Sequence, residues 1–126
     1  MACPVLLVDD DTDSVEAFVL FLHFHGLDAI SAKDGEQALQ ILRGGLAPCV
    51  IVLDLMMPGK DAFAFRSEQL ADPSLAATPV IVCSGAFDGR AAAERLGAAD
   101  FIAKPAEPQA LLRLIKLHCA APAAST

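Results

Sequence analysis

Three short, continuous apolar runs constrain this chain more than any other feature: Val5-Leu6-Leu7-Val8, Cys49-Val50-Ile51-Val52-Leu53 and Val80-Ile81-Val82-Cys83. Each is rich in β-branched residues, too short for a helix and without a polar face, so each suits a strand buried on both sides. A sheet covered on both sides needs helices above and below it. Two weaker strand candidates, Leu27 to Ala32 and Phe101 to Ala103, carry polar or small residues, with Asp28 inside the first and Asp100 just before the second. These suit the edges of the sheet.

Between the runs the period changes. Val15, Phe18, Val19 and Leu22 follow the i, i+3, i+4, i+7 spacing of an amphipathic helix, and Gly26 stands where a C-terminal cap belongs. Glu36 to Leu42 is ended by Gly44-Gly45, Ala62 to Leu70 is made of helix formers, and Arg90 to Leu96 is stopped by Gly97. Leu111, Leu114, Ile115 and His118 form a stripe after Pro108, a residue at home in a first helical turn. Strand then helix, five times over, predicts an α/β fold: a doubly wound, five-stranded parallel sheet with five helices. Strand order 2-1-3-4-5 places the three most apolar strands in the middle. A chain of 126 residues, 55% of them hydrophobic, can fill one such core. Residues 1–119 are expected to form the domain, and 120–126, made of Ala, Pro, Ser and Thr, a disordered tail or the start of a linker.

Sixteen acidic residues against nine Lys and Arg leave a net charge of -7, which argues against direct contact with nucleic acid. No basic segment leads into a hydrophobic stretch, and no run approaches the ~20 apolar residues of a membrane span, so a cytoplasmic protein without membrane contact is expected. Cys3, Cys49, Cys83 and Cys119 are widely separated and read as thiols, Cys49 and Cys83 as small core residues.

In open α/β sheets, function gathers at the carboxyl ends of the strands, above all where strand order reverses. Strand one ends in Asp9-Asp10-Asp11, strand three in Asp54, strand four in Ser84, and Lys104-Pro105 follows strand five. Singly, an Asp after a strand serves as a turn former or helix cap. Together, three carboxylates at about 4 Å repel by roughly 4 kcal/mol per pair at an effective dielectric of about 20. The oxygen-rich set Asp9, Asp10 and Asp54, with a backbone carbonyl after Asp54, suits a hard cation that keeps some waters, namely Mg2+. Lys104 adds a permanent positive charge.

From about Pro4 to His118 the chain resembles a two-component response-regulator receiver domain, of the single-domain, chemotaxis-regulator-like kind with a flavodoxin-like fold. The carriers are Val8-Asp9-Asp10, Asp54-Leu55-Met56-Met57-Pro58-Gly59-Lys60-Asp61, Ser84-Gly85-Ala86, and Gly97-Ala98-Ala99-Asp100-Phe101 leading into Lys104-Pro105. The resemblance implies that Asp54 accepts a phosphoryl group from the phosphohistidine of a sensor histidine kinase or phosphotransfer protein. It implies that Asp10 binds Mg2+ directly and Asp9 through water, with the Met56 carbonyl completing the protein ligands. Ser84 would hydrogen-bond the phosphoryl group, Lys104 would pair with it, and Phe101 holds the aromatic switch position.

The same resemblance implies that phosphorylation rearranges the face formed by the fourth helix, fifth strand and fifth helix, where a downstream protein would bind. The chain would be a monomer or a weak phosphorylation-dependent dimer, a signalling protein without a metabolic substrate, acting alone or as the receiver of a longer protein. Three features depart from the family pattern or add little bulk: Ala62 where Gly is usual, Ser84 in place of Thr, and Ala91-Ala92-Ala93 in the fourth helix. His23 and His25 read as helix-end residues, His118 as a packing residue, and the side chains of Met56 and Met57 as loop and core packing. The alternatives are a Mg2+-dependent aspartyl-phosphate phosphatase or phosphotransferase, disfavoured because no second acid follows Asp54 as in D-x-D enzymes, and a pseudo-receiver interaction module. A flavin module is disfavoured by the acidic first loop.

Overall fold

A computed structural model describes residues 4–56 and 61–124. Its five strands alternate with five helices: β1 (Val5–Val8), α1 (Thr12–Phe24), β2 (Ala29–Ala32), α2 (Gly35–Arg43), β3 (Val50–Leu53), α3 (Ala62–Ala71), β4 (Val80–Ser84), α4 (Gly89–Leu96), β5 (Asp100–Ala103) and α5 (Pro108–Ala124). The sheet is parallel throughout with order β2-β1-β3-β4-β5, the order that the hydrophobicity of the runs favours. The two weaker runs are its edges.

The period-2 alternation of each buried strand divides the core into two layers. Leu6, Val8, Ile51, Leu53, Val80 and Val82 pack with Leu39, Phe65 and Leu96 of α2, α3 and α4. Val5, Leu7, Val50, Val52, Ile81 and Cys83 pack with Val15, Leu22, Leu111 and Ile115 of α1 and α5. Because both layers are apolar, neither face of β1, β3 or β4 can tolerate a polar residue until the strand reaches its carboxyl end.

Aspartates set where the helices begin. Asp11, Asp34 and Asp61 each accept a hydrogen bond from the backbone N–H three residues on, capping α1, α2 and α3. Consequently α1 starts at Thr12, earlier than its apolar stripe suggests. Gly97 ends α4 with φ of 70°, the left-handed conformation that favours glycine. Ala62 needs no such freedom: among the described residues no side-chain-bearing residue has a positive φ. It is the first residue of α3 and is buried. Ala92 and Ala93 are likewise buried, so the small residues of α4 bring that helix close to the sheet.

The thiol reading fails for one pair. Cys49 and Cys119 form a disulfide, with Cα atoms 5.1 Å apart, across a sequence separation of 70. The fold carries the last turns of α5 back to the start of β3, a proximity that sequence spacing cannot reveal. Cys83 is a free, buried thiol as expected, and Cys3 lies outside the described residues. Helix α5 runs on through Ala124, into the stretch read as tail; alanine is the strongest helix former, and the helix continues on it.

Candidate functional site

Register brings the strand ends together. Val8 pairs with Leu53, Leu53 with Val82, and Ser84 with Ala103, so the first residues beyond β1 and β3 stand side by side. The ladder continues one step past each strand. The Asp9 N–H donates to the Ala32 carbonyl, the Asp54 N–H to the Val8 carbonyl, and the Lys104 N–H to the Ser84 carbonyl, at 2.9 to 3.0 Å. Asp9, Asp54 and Lys104 are thus placed by sheet hydrogen bonds rather than by loose loops, which fixes where their side chains start.

Those side chains converge. One oxygen from each of Asp9, Asp10 and Asp54 lies within 4.8 Å of the others. The Lys104 Nζ donates to Asp9 Oδ2 at 2.6 Å and stands 3.6 Å from Asp54 Oδ2. Asp54 is buried, Asp9 half-buried and Asp10 exposed, so the trio runs from the sheet edge out to solvent. The Met56 N–H donates to Asp54 Oδ1 at 3.2 Å. The Met56 side chain is exposed, so the packing reading fails for it: it stands in the loop just past the sheet and not in the core. Met57 to Lys60 lie outside the described residues, and the reading of Met57 with them.

The electrostatics follow from this burial. Desolvation pushes the Asp54 carboxyl above its ordinary range, against the pull of the Met56 amide and the Lys104 charge, and Asp9 adds to the push. For Lys104, burial disfavours the ammonium, but the Asp9 hydrogen bond and the charges of Asp54 and Asp9 outweigh it and raise its pKa. Burial likewise pushes the neighbouring Cys83 thiol up to about 11, which leaves it protonated and unreactive.

Ser84 is buried, and its Oγ accepts from the Ala86 N–H at 3.0 Å. Phe101 is half-buried against the α2–α4 side of the core, with the Arg90 guanidinium 5.0 Å from its ring centroid. A Cβ added at Gly89 would come within 2.9 Å of the Phe101 ring and 3.8 Å of the Ser84 Cβ. Gly89 therefore provides the space in which the ring lies beside Ser84. Neither Gly89 nor Arg90 was singled out in the sequence; a Gly-Arg pair opening a helix carries no signal of its own.

All the site residues expected from the sequence, apart from Phe101, gather at this one end of the sheet. His23 and His25 are exposed at the end of α1. His118 is half-buried and also meets Asp100, its Nε2 3.4 Å from Oδ2.

The family model for the response regulator receiver domain matches residues 5–116. The chain belongs to this family. The receiver is 35% identical over 109 residues to the "Probable transcriptional regulator ycf27" of Porphyridium aerugineum, covering 85% of this chain but only 44% of that protein. It is 27% identical to protein PilH of Pseudomonas aeruginosa, over 88% of this chain and 93% of the relative. Among solved structures, a response regulator receiver protein from Pseudomonas putida superposes with a TM-score of 0.84 at 31% identity, over 92% of this receiver and 97% of that one. The same architecture thus occurs both as nearly a whole protein and as less than half of one. Among the described residues of this receiver, no helix is long and apolar enough to cross a membrane.

Proposed function

We propose that Asp54 accepts a phosphoryl group from the phosphohistidine of a sensor histidine kinase or phosphotransfer protein, making this receiver a phosphorylation-dependent switch in a two-component phosphorelay. One observation carries the reading: a buried carboxylate stands where two further carboxylates and a lysine converge. Asp9 and Asp54 also accept local backbone N–H bonds, but such bonds do not require three carboxylates at one point, where their mutual repulsion calls for positive charge.

The donor set fits Mg2+. It consists solely of oxygens, from Asp9, Asp10 and Asp54, on carboxylates that reach from buried to exposed, and the Met56 carbonyl lies two residues beyond Asp54. When bound, the ion would offset negative charge on the transferred group. The chain's own residues do the rest. An Asp54 oxygen attacks phosphorus, the P–N bond to the donor histidine breaks, and the electron pair returns to the imidazole nitrogen. Lys104, already within 3.6 Å of Asp54, supplies positive charge beside the new phosphoryl oxygens. The Ser84 hydroxyl, at the end of the adjacent strand, donates to one of them. Water later cleaves the acyl phosphate, returning the carboxylate and inorganic phosphate, and the signal ends.

Output follows from the same contacts. Turning Ser84 toward the phosphoryl group removes it from the space beside Gly89 and Phe101, and the α4–β5–α5 face changes for a downstream protein. In this reading the receiver is a signalling module without a metabolic substrate, cytoplasmic, and monomeric or weakly dimeric when phosphorylated. Incubation with Mg2+ and acetyl phosphate tests it: intact mass is expected to rise by about 80 Da in the wild type and not in Asp54→Ala. Continuous phosphate release from many metabolites would favour an aspartyl-phosphate hydrolase instead. Absence of labelling by any donor in folded, Mg2+-binding protein would leave an interaction module.

A further inference from the structure

A cavity of about 580 Å3 is lined by α1, the start of α5 and the carboxyl ends of β1, β3 and β4, with the small residues Ala17 on α1 and Ala106 just before α5 among its lining. Its floor is Leu7, Val52 and Cys83, and Phe18, Phe21 and Leu111 stand along its walls. Such a volume lies within the roughly 300–1,000 Å3 range of small-molecule sites, and the apolar part of its lining suits a ring.

The mouth of the cavity decides the chemistry of its occupant. Asp11 is exposed there, and further in the lining includes the carboxylates of Asp9 and the buried Asp54 and one ammonium, Lys104, whose shortest bond is already to Asp9. Without a bound cation, three acids against one base repel an anion, and a wholly neutral guest would bury part of that charge without compensation. Asp11 is exposed and bonds only locally, to the Ser14 N–H and hydroxyl at 3.4 and 2.8 Å, so it retains lone pairs for another donor.

We propose that this cavity binds a small aromatic amine, its ring over Leu7, Val52 and Cys83 between the walls of α1 and α5, and its ammonium at Asp11 on the acidic mouth. The site extends inward from the acceptor carboxylates and does not depend on phosphoryl chemistry, so it is tested on metal-free, unphosphorylated protein.

The probe is 2-phenylethylamine, titrated into the full chain and followed by calorimetry and by two-dimensional NMR, with 2-phenylethanol and phenylacetate as neutral and anionic analogues. Saturable binding with a Kd of about 1 mM or tighter is expected for the amine, about tenfold weaker binding for the alcohol, and none for the acid. Asp11→Asn, which keeps the helix cap, should remove most of the amine's advantage. Ala106→Leu should fill the cavity and abolish binding. If that variant fails to fold, Overhauser contacts from the probe's ring to Leu111 and Val52 in the unaltered protein decide the location. The proposal is overturned by absence of saturable shifts up to about 10 mM, by equal affinity for amine and alcohol, or by contacts that map elsewhere.

Discussion

Breaking the Cys49–Cys119 bridge tests the fold most directly, because its worth can be worked out from chain length alone. The bridge closes a loop spanning 70 residues between the start of β3 and the end of α5. In the loop-entropy treatment, releasing a closure of that length adds about 15 cal/mol/K to the unfolded chain, or about 4 kcal/mol at 25 °C. For a chain of 126 residues the entropy of unfolding is about 0.26 kcal/mol/K, so the full effect lowers Tm by about 15 °C. Loss of a native bridge costs from about 2 kcal/mol upward, so a fall of about 8 to 15 °C is expected. The assay is calorimetric melting with and without a phosphine reductant, repeated on Cys119→Ser, whose melting should match the reduced wild type. Intact mass after alkylation under non-reducing, denaturing conditions establishes the bridge itself. Four alkylated cysteines in that experiment would show that the bridge does not form. An intact bridge whose reduction shifts Tm by less than about 3 °C would refute the loop-entropy reasoning.

Three further outcomes follow from the packing and charge of the site. Phe65 is fully buried between α3 and the sheet, so Phe65→Ala should cost about 3 to 5 kcal/mol in urea unfolding, with the m-value unchanged. Because the folded-state pKa of Asp54 is raised, its contribution favours the fold below the ordinary carboxylate pKa of 3.8 and is lost as pH rises through the folded value. Asp54→Asn should therefore raise the urea midpoint near pH 7 and leave it nearly unchanged at about pH 3; a midpoint that falls near pH 7 would contradict the burial argument. Gly89→Ala places a methyl within 2.9 Å of the Phe101 ring, so the ring must move away from Arg90, at a cost of about 1 kcal/mol. Ring-proton shifts of Phe101 in the variant read the displacement.

Much of this was legible before any coordinates. Which strands are central and which are edges follows from which runs are wholly apolar, and the site from what stands just after them, because a parallel sheet sends every strand's carboxyl end to one side. Boundaries were less legible where capping governs: α1 begins at Thr12 because Asp11 caps it, three residues ahead of the first stripe residue Val15. Strand β2 begins at Ala29 rather than Leu27, because its pairing with β1 starts at Ala29 opposite Val5, the first residue of β1. The disulfide was hidden because Cys49 and Cys119 each continue an apolar segment and look like packing residues. That Lys104 bonds Asp9 more closely than Asp54 was also hidden, since a sequence gives the residues at each strand end and not their distances.

The acceptor centre is assembled from residues as far apart in sequence as Asp9 and Lys104, each anchored by a bond to a neighbouring strand. No contiguous fragment shorter than that span can contain it, and a chain with β5 undocked lacks its lysine. Under the proposed function, uptake of a phosphoryl group therefore requires β1, β3 and β5 to be docked in one sheet, and a clipped or partly melted copy that has lost β5 is expected to stay silent.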